Sequence, residues 1–382
     1  MKSIYYWSPF LSKVATIRAV INSAYSLKKF SKKYDVYLLN SFGEWVSYTN
    51  ELKKKNIKII NINNAKYIQS SGNIGYLKSR LFYIVIFIIN FLPLLKVLVK
   101  NKPDYLIIHL ITSLPLLLKI LFKFPTKLIL RISGFPKLNL LRKIFWRFSS
   151  KYIEYITCPT LETLEYLKKN NIFPEKKLYL LRDPIIDINQ INLKKEDSVD
   201  FNFDENFKYI ISIGRLTKQK NFSFLIESLK NIDIFLTHYK LLILGDGEDY
   251  IKLNNIINSY NLKNNIYLLG YQENVYKFFK KSSFFILSSL WEDPGFVLIE
   301  AAACNKAILS SNCSSGPKEF LNNEERGYIY EKNNINDFKL SFLRIIGDTN
   351  KIAYKRKIYK AKNESRKYTK LYHFLSFDKI LK

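Results

Sequence analysis

The chain has 382 residues, a length that suits two domains, and 48% of them are apolar, enough for a core in each. Lys and Arg number 61 against 32 Asp and Glu, a formal net charge of +29, so the surface must meet anions: nucleic acid, anionic lipid or phosphate-bearing substrates. Composition alone does not choose among these, and an AT-rich genome would also enrich Lys, Asn and Ile. The cations are spread along the whole chain, with no arginine-rich tail and no helix-turn-helix, zinc-finger or RNA-recognition signature, which argues against nucleic acid. Three cysteines (Cys158, Cys304, Cys313) without a CxxC pair fit a reducing compartment and argue against a disulfide framework and a structural zinc site. With only His109, His238 and His373, a histidine-rich metal site is not expected.

The N-terminus, MKSIYYWSPFL, lacks the apolar core and small-residue cleavage site of a secretory leader. Short runs rich in β-branched and aromatic residues then predict strands at Ser3–Trp7, Asp35–Leu39, Ile57–Ile62, Tyr105–His109, Lys127–Ile132 and Ile153–Cys158. Helical patterns lie between them at Val14–Phe30 and Leu114–Phe122, and Leu161–Lys169 follows with Thr160 as its cap. Such alternation implies a parallel sheet covered on both faces.

Asp183 to Asn206 loses periodicity, and 183–206 is read as a linker between a first domain, 1–182, and a second, 207–349. Strands are expected at Tyr209–Ile213, Lys240–Leu244, Ile266–Leu269 and Phe284–Ser288, and helices at Phe222–Lys230, Tyr250–Tyr260 and Phe296–Ala303. Residues 350–382 read as a lysine-rich helical extension.

Three motifs follow strands of the second domain. Gly214-Arg215-x4-Lys220 places two cations five residues apart across a short loop, where a fork and a point charge could converge on a diphosphate; two solvated cations is the plainer reading. Gly245-Asp246-Gly247 fits close approach to a nucleotide base, and equally an ordinary turn. Glu292-x7-Glu300 straddles Gly295, Phe296 and Val297 at a helix start, whose unpaired N–H groups attract phosphate. Carboxylates there suit hydroxyl recognition, or are simply favoured by the helix dipole.

In this order the motifs resemble glycosyltransferase family 4, the group 1 enzymes, and SSLWEDPGFVLIEAA followed by SSGPKEFL is similar to members that build bacterial surface polysaccharides. The resemblance covers Tyr209 to Gly327 firmly and the first half more loosely. It implies an α/β GT-B fold, two Rossmann-like domains with parallel sheets facing a central cleft, and a last helix that crosses back to the first domain. It implies a retaining hexosyltransferase that needs no metal and no cofactor. Arg215 and Lys220 would hold the donor diphosphate, and Glu300 the ribose hydroxyls. Glu292 and the backbone of Gly295, Phe296 and Val297 would face the donor sugar, and Gly214 and Gly245 to Gly247 would line the donor site. No Asp-x-Asp of metal-dependent sugar transferases is present. Two departures stand out. Lys13-Val14-Ala15-Thr16 replaces a glycine-rich loop, and Arg131-Ile132-Ser133-Gly134 stands where some relatives carry a histidine. His109, Arg131 and Ser133 are the candidate acceptor-side residues. A nucleotide-sugar epimerase of the same shape, and a non-catalytic scaffold on anionic membrane or nucleic acid, are the rival readings.

Leu81–Val99 is strongly apolar but broken by Asn90, Pro93 and Lys96, which with Lys100 fall on one helical face. A buried or surface-lying helix is expected rather than a span. With Leu114–Phe124, where Lys119 and Lys123 share a side, it offers basic helices that could lie on an anionic membrane; two core helices with solvated lysines is the alternative. The expected setting is the cytoplasm, at the inner face of the membrane, with a nucleotide-sugar donor and a glycan or lipid-linked acceptor as partners.

Overall fold

The structure, a computed structural model, describes residues 1–10, 15–63 and 76–381. Lys13 and Val14 of the expected glycine-loop position lie outside them. The chain forms two units, Met1–Ile185 with Lys370–Lys382, and Ile186–Thr369.

In the first unit the elements run β1 (Lys2–Trp7), α1 (Ala15–Phe30), β2 (Tyr34–Asn40), α2 (Thr49–Lys54), β3 (Lys58–Asn61), α3 (Tyr76–Asn101), β4 (Tyr105–Ile108), α4 (Ser113–Leu121), β5 (Lys127–Arg131), α5 (Leu140–Ser149), β6 (Ile153–Cys158), α6 (Leu161–Lys169) and β7 (Leu178–Leu180). The seven strands are parallel, in the order β3-β2-β1-β4-β5-β6-β7. Alternate strand residues enter different cores because successive side chains point to opposite faces. Tyr5 and Trp7 join Leu94 and Leu98 of α3, Leu116 of α4, Trp146 of α5 and Leu164 of α6. Ile4 and Tyr6 join α1 and Leu52 of α2. The side chain of Thr160 accepts a hydrogen bond from the Thr163 amide and caps α6.

Of the expected linker, 183–206, the residues from Ile186 group with the second unit. The second unit opens with α7 (Ile188–Lys194), capped by the Asp187 side chain and anchored by buried Ile191. Asp187 caps this helix and Asp204 accepts from the Asn206 amide in a turn, so such residues imitate loop composition. Next come β8 (Lys208–Ile213), α8 (Phe222–Leu229), α9 (Asp233–His238), β9 (Tyr239–Leu244), α10 (Tyr250–Ser259), β10 (Ile266–Leu268), α11 (Tyr276–Lys281), β11 (Phe284–Leu287), α12 (Phe296–Ala303), β12 (Ala307–Ser311), α13 (Gly316–Leu321), β13 (Tyr328–Tyr330), α14 (Ile335–Gly347) and α15 (Ile352–Ser365). Its six parallel strands are ordered β10-β9-β8-β11-β12-β13. The order reverses at β8, between β9 and β11, and ligands of such sheets bind beyond the strand C-termini at that point.

The last segment divides. α15 packs against α12 in the second unit, and α16 (Lys370–Ile380) packs against α1 in the first. His373 ties α16 down: its Nε2 lies 2.8 Å from Ser23 Oγ and its Nδ1 2.7 Å from the Arg182 carbonyl. Burial lowers the His373 pKa to about 3, so the ring is neutral and Nδ1–H donates to that carbonyl.

Candidate functional site

All three motif loops of the second unit leave strands around the reversal point. Gly214 and Arg215 follow β8, Gly245 to Gly247 follow β9, and the stretch to Gly295 follows β11. The first two loops are locked together: the Gly214 amide donates to the Leu244 carbonyl at 2.9 Å, and the Leu216 amide to the Asp246 carbonyl at 2.9 Å. A Cβ on Gly245 would stand 1.9 Å from the Gly214 carbonyl oxygen, and one on Gly247 would stand 2.4 Å from that of Leu216. These glycines therefore let one loop cross the other, a reason within the protein that motif spacing does not reveal. Asp246 is exposed, and its Oδ1 accepts from the Gly247 amide at 2.7 Å.

The β8 loop also meets the β11 loop. The Leu290 amide donates to the Gln219 carbonyl, and Gln219 Nε2 donates to the Trp291 carbonyl, both at 2.8 Å. Lys220 Nζ then reaches Glu292 Oε1 at 2.5 Å, and Ser289 Oγ donates to the same oxygen at 2.7 Å. Glu292 is buried, and its backbone pairs with Ser314 and Ser315. So the first and third motifs, 72 residues apart, share one ion pair. Arg215 is exposed, and among the described residues it forms no ion pair or side-chain hydrogen bond, leaving its guanidinium open to a ligand.

Gly295 has φ +82°, a left-handed conformation that a side chain would strain, and it turns the chain into α12. No side chain caps that helix, so the amides of Phe296 and Val297 face outward with the positive end of the dipole. Glu300, one turn further, is partly open to solvent, and Tyr276 Oη donates to its Oε1 at 2.9 Å. Burial pushes the Glu300 carboxyl up to about 7, while the Tyr276 bond favours its ionised form. Tyr276 itself is raised well above the usual phenol range by burial and by that carboxylate. Tyr276 and Ser289 escaped the sequence reading. Tyr276 lies one strand away in sequence, and only folding α11 beside α12 reveals it.

The first-unit candidates form a different group. Arg131 is buried, with Nη1 donating to the Leu181 carbonyl at 2.7 Å and Nη2 paired with Asp183. This occupies its guanidinium in holding the chain after β7. His109 is buried at the end of β4 against the Tyr6 ring, and burial, with Arg131 nearby, drives its pKa well below the ordinary value. Ser133 is exposed, with Oγ 3.5 Å from His109 Nδ1. Among the described residues no cluster of His, Cys, Asp and Glu is arranged for a metal.

Residues 194–364 match the glycosyl transferases group 1 family. The chain carries a group 1 glycosyltransferase domain. It is 29% identical over 249 residues to the N-acetylgalactosamine-N,N'-diacetylbacillosaminyl-diphospho-undecaprenol 4-alpha-N-acetylgalactosaminyltransferase of Campylobacter jejuni, covering 63% of this chain and 65% of that one. Two of the curated relatives are matched over 50% and 65% of their length, and others over as little as 29%. A crystal structure of a glycosyltransferase from Rickettsia africae superposes with TM-score 0.80 at 17% identity, over 100% of this chain and 99% of that one. Anabaena HepE in complex with UDP superposes with TM-score 0.72 at 12% identity, over 100% and 99%. The chain has the GT-B fold.

Proposed function

We propose that the protein is a retaining, metal-independent glycosyltransferase of family 4. It moves a hexose-type sugar from a nucleotide-sugar, UDP-linked in the first instance, to a lipid-linked glycan in cell-surface polysaccharide assembly. The Lys220–Glu292 pair carries this reading, because it joins two motifs beside an uncapped helix start and the open Arg215. An ammonium has three donors, so Lys220 can hold Glu292 and still offer hydrogens to a phosphate. Arg215 adds a bidentate fork. Together with the Phe296 and Val297 amides they would stabilise charge developing on the departing diphosphate, often the largest catalytic term. Glu300 keeps Oε2 free of Tyr276 and can accept ribose hydroxyls with it. The UDP bound to HepE supports the choice of donor base, and the Campylobacter relative's undecaprenol-linked acceptor supports the acceptor class.

The reading is tested by following transfer from UDP-sugars to undecaprenyl-diphosphate glycans in EDTA, with the product's anomeric configuration read by NMR. Transfer that persists in EDTA with retained configuration supports it. Loss in EDTA or an inverted product refutes those parts. A donor-only reaction yielding an epimerised sugar would replace transfer with epimerisation.

A further inference from the structure

The helices α3, α4 and α5 bury Leu94 and Leu98, Leu116 and Leu118, and Trp146 in one core, so all three cover the same face of the first sheet. The outward side of α3 is nevertheless apolar. Leu81, Ile84, Ile88 and Leu92 are 64%, 56%, 66% and 70% exposed, and steps of three and four residues align them on one helix face. α5 repeats the pattern, with Leu140, Leu141, Ile144 and Phe148 at 72%, 78%, 57% and 52%. Between them Phe122, at the end of α4, packs its ring 6.3 Å from that of Phe91 on α3. Two apolar lines facing water are costly surface for a soluble face.

Charge decides the occupant. From residue 81 to residue 152 there are twelve Lys and Arg against one acid, Asp104, and that acid is engaged by Ser3. Lys96 and Lys100 on α3 are exposed beside the apolar line. Arg142 and Arg147 on α5 are exposed too, although Arg142 donates to the Lys137 carbonyl and Arg147 to the Asn170 and Asn171 carbonyls. The middle of a protein interface is depleted of charge, whereas cations flanking an apolar line match phosphate headgroups above an acyl layer. Leu81–Asn101 is long and apolar enough to span, with mean hydropathy 2.4, but Leu94 and Leu98 sit inside the core, so lipid cannot surround it.

We propose that α3 and α5, on either side of α4, lie in the headgroup region of an anionic membrane, with their outward leucines and isoleucines in the acyl boundary and their exposed cations toward lipid phosphates. The sequence reading paired α3 with α4 instead. In the fold, Lys119 of α4 is tied to the carbonyls of Phe124 and Thr126, and Asn90 of α3 is buried, bonded to the Ile86 carbonyl and to Asn63. The outward face of α3 is thus its apolar one, and α5 supplies the second line.

The test is co-sedimentation of the full chain with phosphatidylcholine vesicles, with and without phosphatidylglycerol, and without donor or acceptor, so that its failure is separate from failure of the transfer reading. Binding to anionic vesicles should exceed binding to neutral ones by about tenfold or more and fall with salt. Leu141→Glu/Ile144→Glu should weaken it by about tenfold or more with an unchanged melting temperature. Ile88→Glu on α3 gives the same readout should the α5 pair fail to fold. Equal binding to both vesicle types, or variants that bind like wild type, would overturn the proposal. So would α5 variants that dissolve a dimer in light scattering and leave vesicle binding intact, which would make the stripe a self-interface.

Discussion

Lys220 Nζ and Glu292 Oε1 stand 2.5 Å apart, the lysine side chain 15% exposed and the glutamate 9%. Arg215, on the same loop, is exposed and unpaired among the described residues. The two cations therefore separate in experiment. Arg215→Ala should lower kcat by about 100- to 1,000-fold and leave the melting temperature near wild type. Lys220→Ala should lose comparable activity and also about 3 kcal/mol of stability, because it strands a buried carboxylate. Turnover assays with thermal melts on both variants check this; full activity in either one removes that cation from the donor site.

Glu300 gives a pH dependence of defined sign. A carboxyl raised from 4.5 to about 7 holds a proton in the native state that the unfolded chain has released. Its contribution to stability is therefore most favourable below about pH 4.5 and declines as the pH rises to about 7. Donor binding runs the other way, since the ionised carboxylate accepts hydroxyl protons best. UDP affinity measured by calorimetry should rise from about pH 6 to about pH 8 in wild type and rise less in Glu300→Gln, which lacks this titration. Tyr276→Phe, removing a bond that favours the ionised form, should shift the midpoint upward. Identical pH profiles for wild type and Glu300→Gln would remove Glu300 from ribose recognition.

The loop crossing at Gly245 predicts a steric penalty. Gly245→Ala puts a methyl group 1.9 Å from the Gly214 carbonyl oxygen and must displace the loop that carries Arg215. We expect a loss of about 3 kcal/mol in urea unfolding, together with loss of turnover. Gly347, with nothing within 4 Å of its added Cβ, is the control, and Gly347→Ala should be neutral or stabilising by about 0.5 kcal/mol.

The strands and helices legible in the sequence were those with long apolar runs. Tyr209–Ile213 and Phe296–Ala303 sit within β8 and α12, and Leu161–Lys169 is α6. What was not legible lacked a local signal. β7 and β13 have three residues each, and β12, Ala307–Ser311, ends in serines. α7 hides among Asp and Asn. At the site, the motif residues were visible because glycine, cation and carboxylate recur at strand ends. Their pairings were not, because Lys220 with Glu292 and Tyr276 with Glu300 are contacts between elements. Spacing groups Asn90 with Lys96 and Lys100, yet Asn90 is buried, bonded to Asn63 and the Ile86 carbonyl, while the two lysines are exposed.

The measurement to make first is thermal melting with UDP, GDP, ADP and CMP in EDTA, on wild type and Arg215→Ala. A nucleotide at about 100 times its Kd stabilises the native state by about 2.7 kcal/mol. We expect UDP to raise the melting temperature of wild type in EDTA, and not that of Arg215→Ala. No shift with any nucleotide, or an equal shift in the variant, would contradict a donor site built on Arg215, Lys220, Glu292 and Glu300.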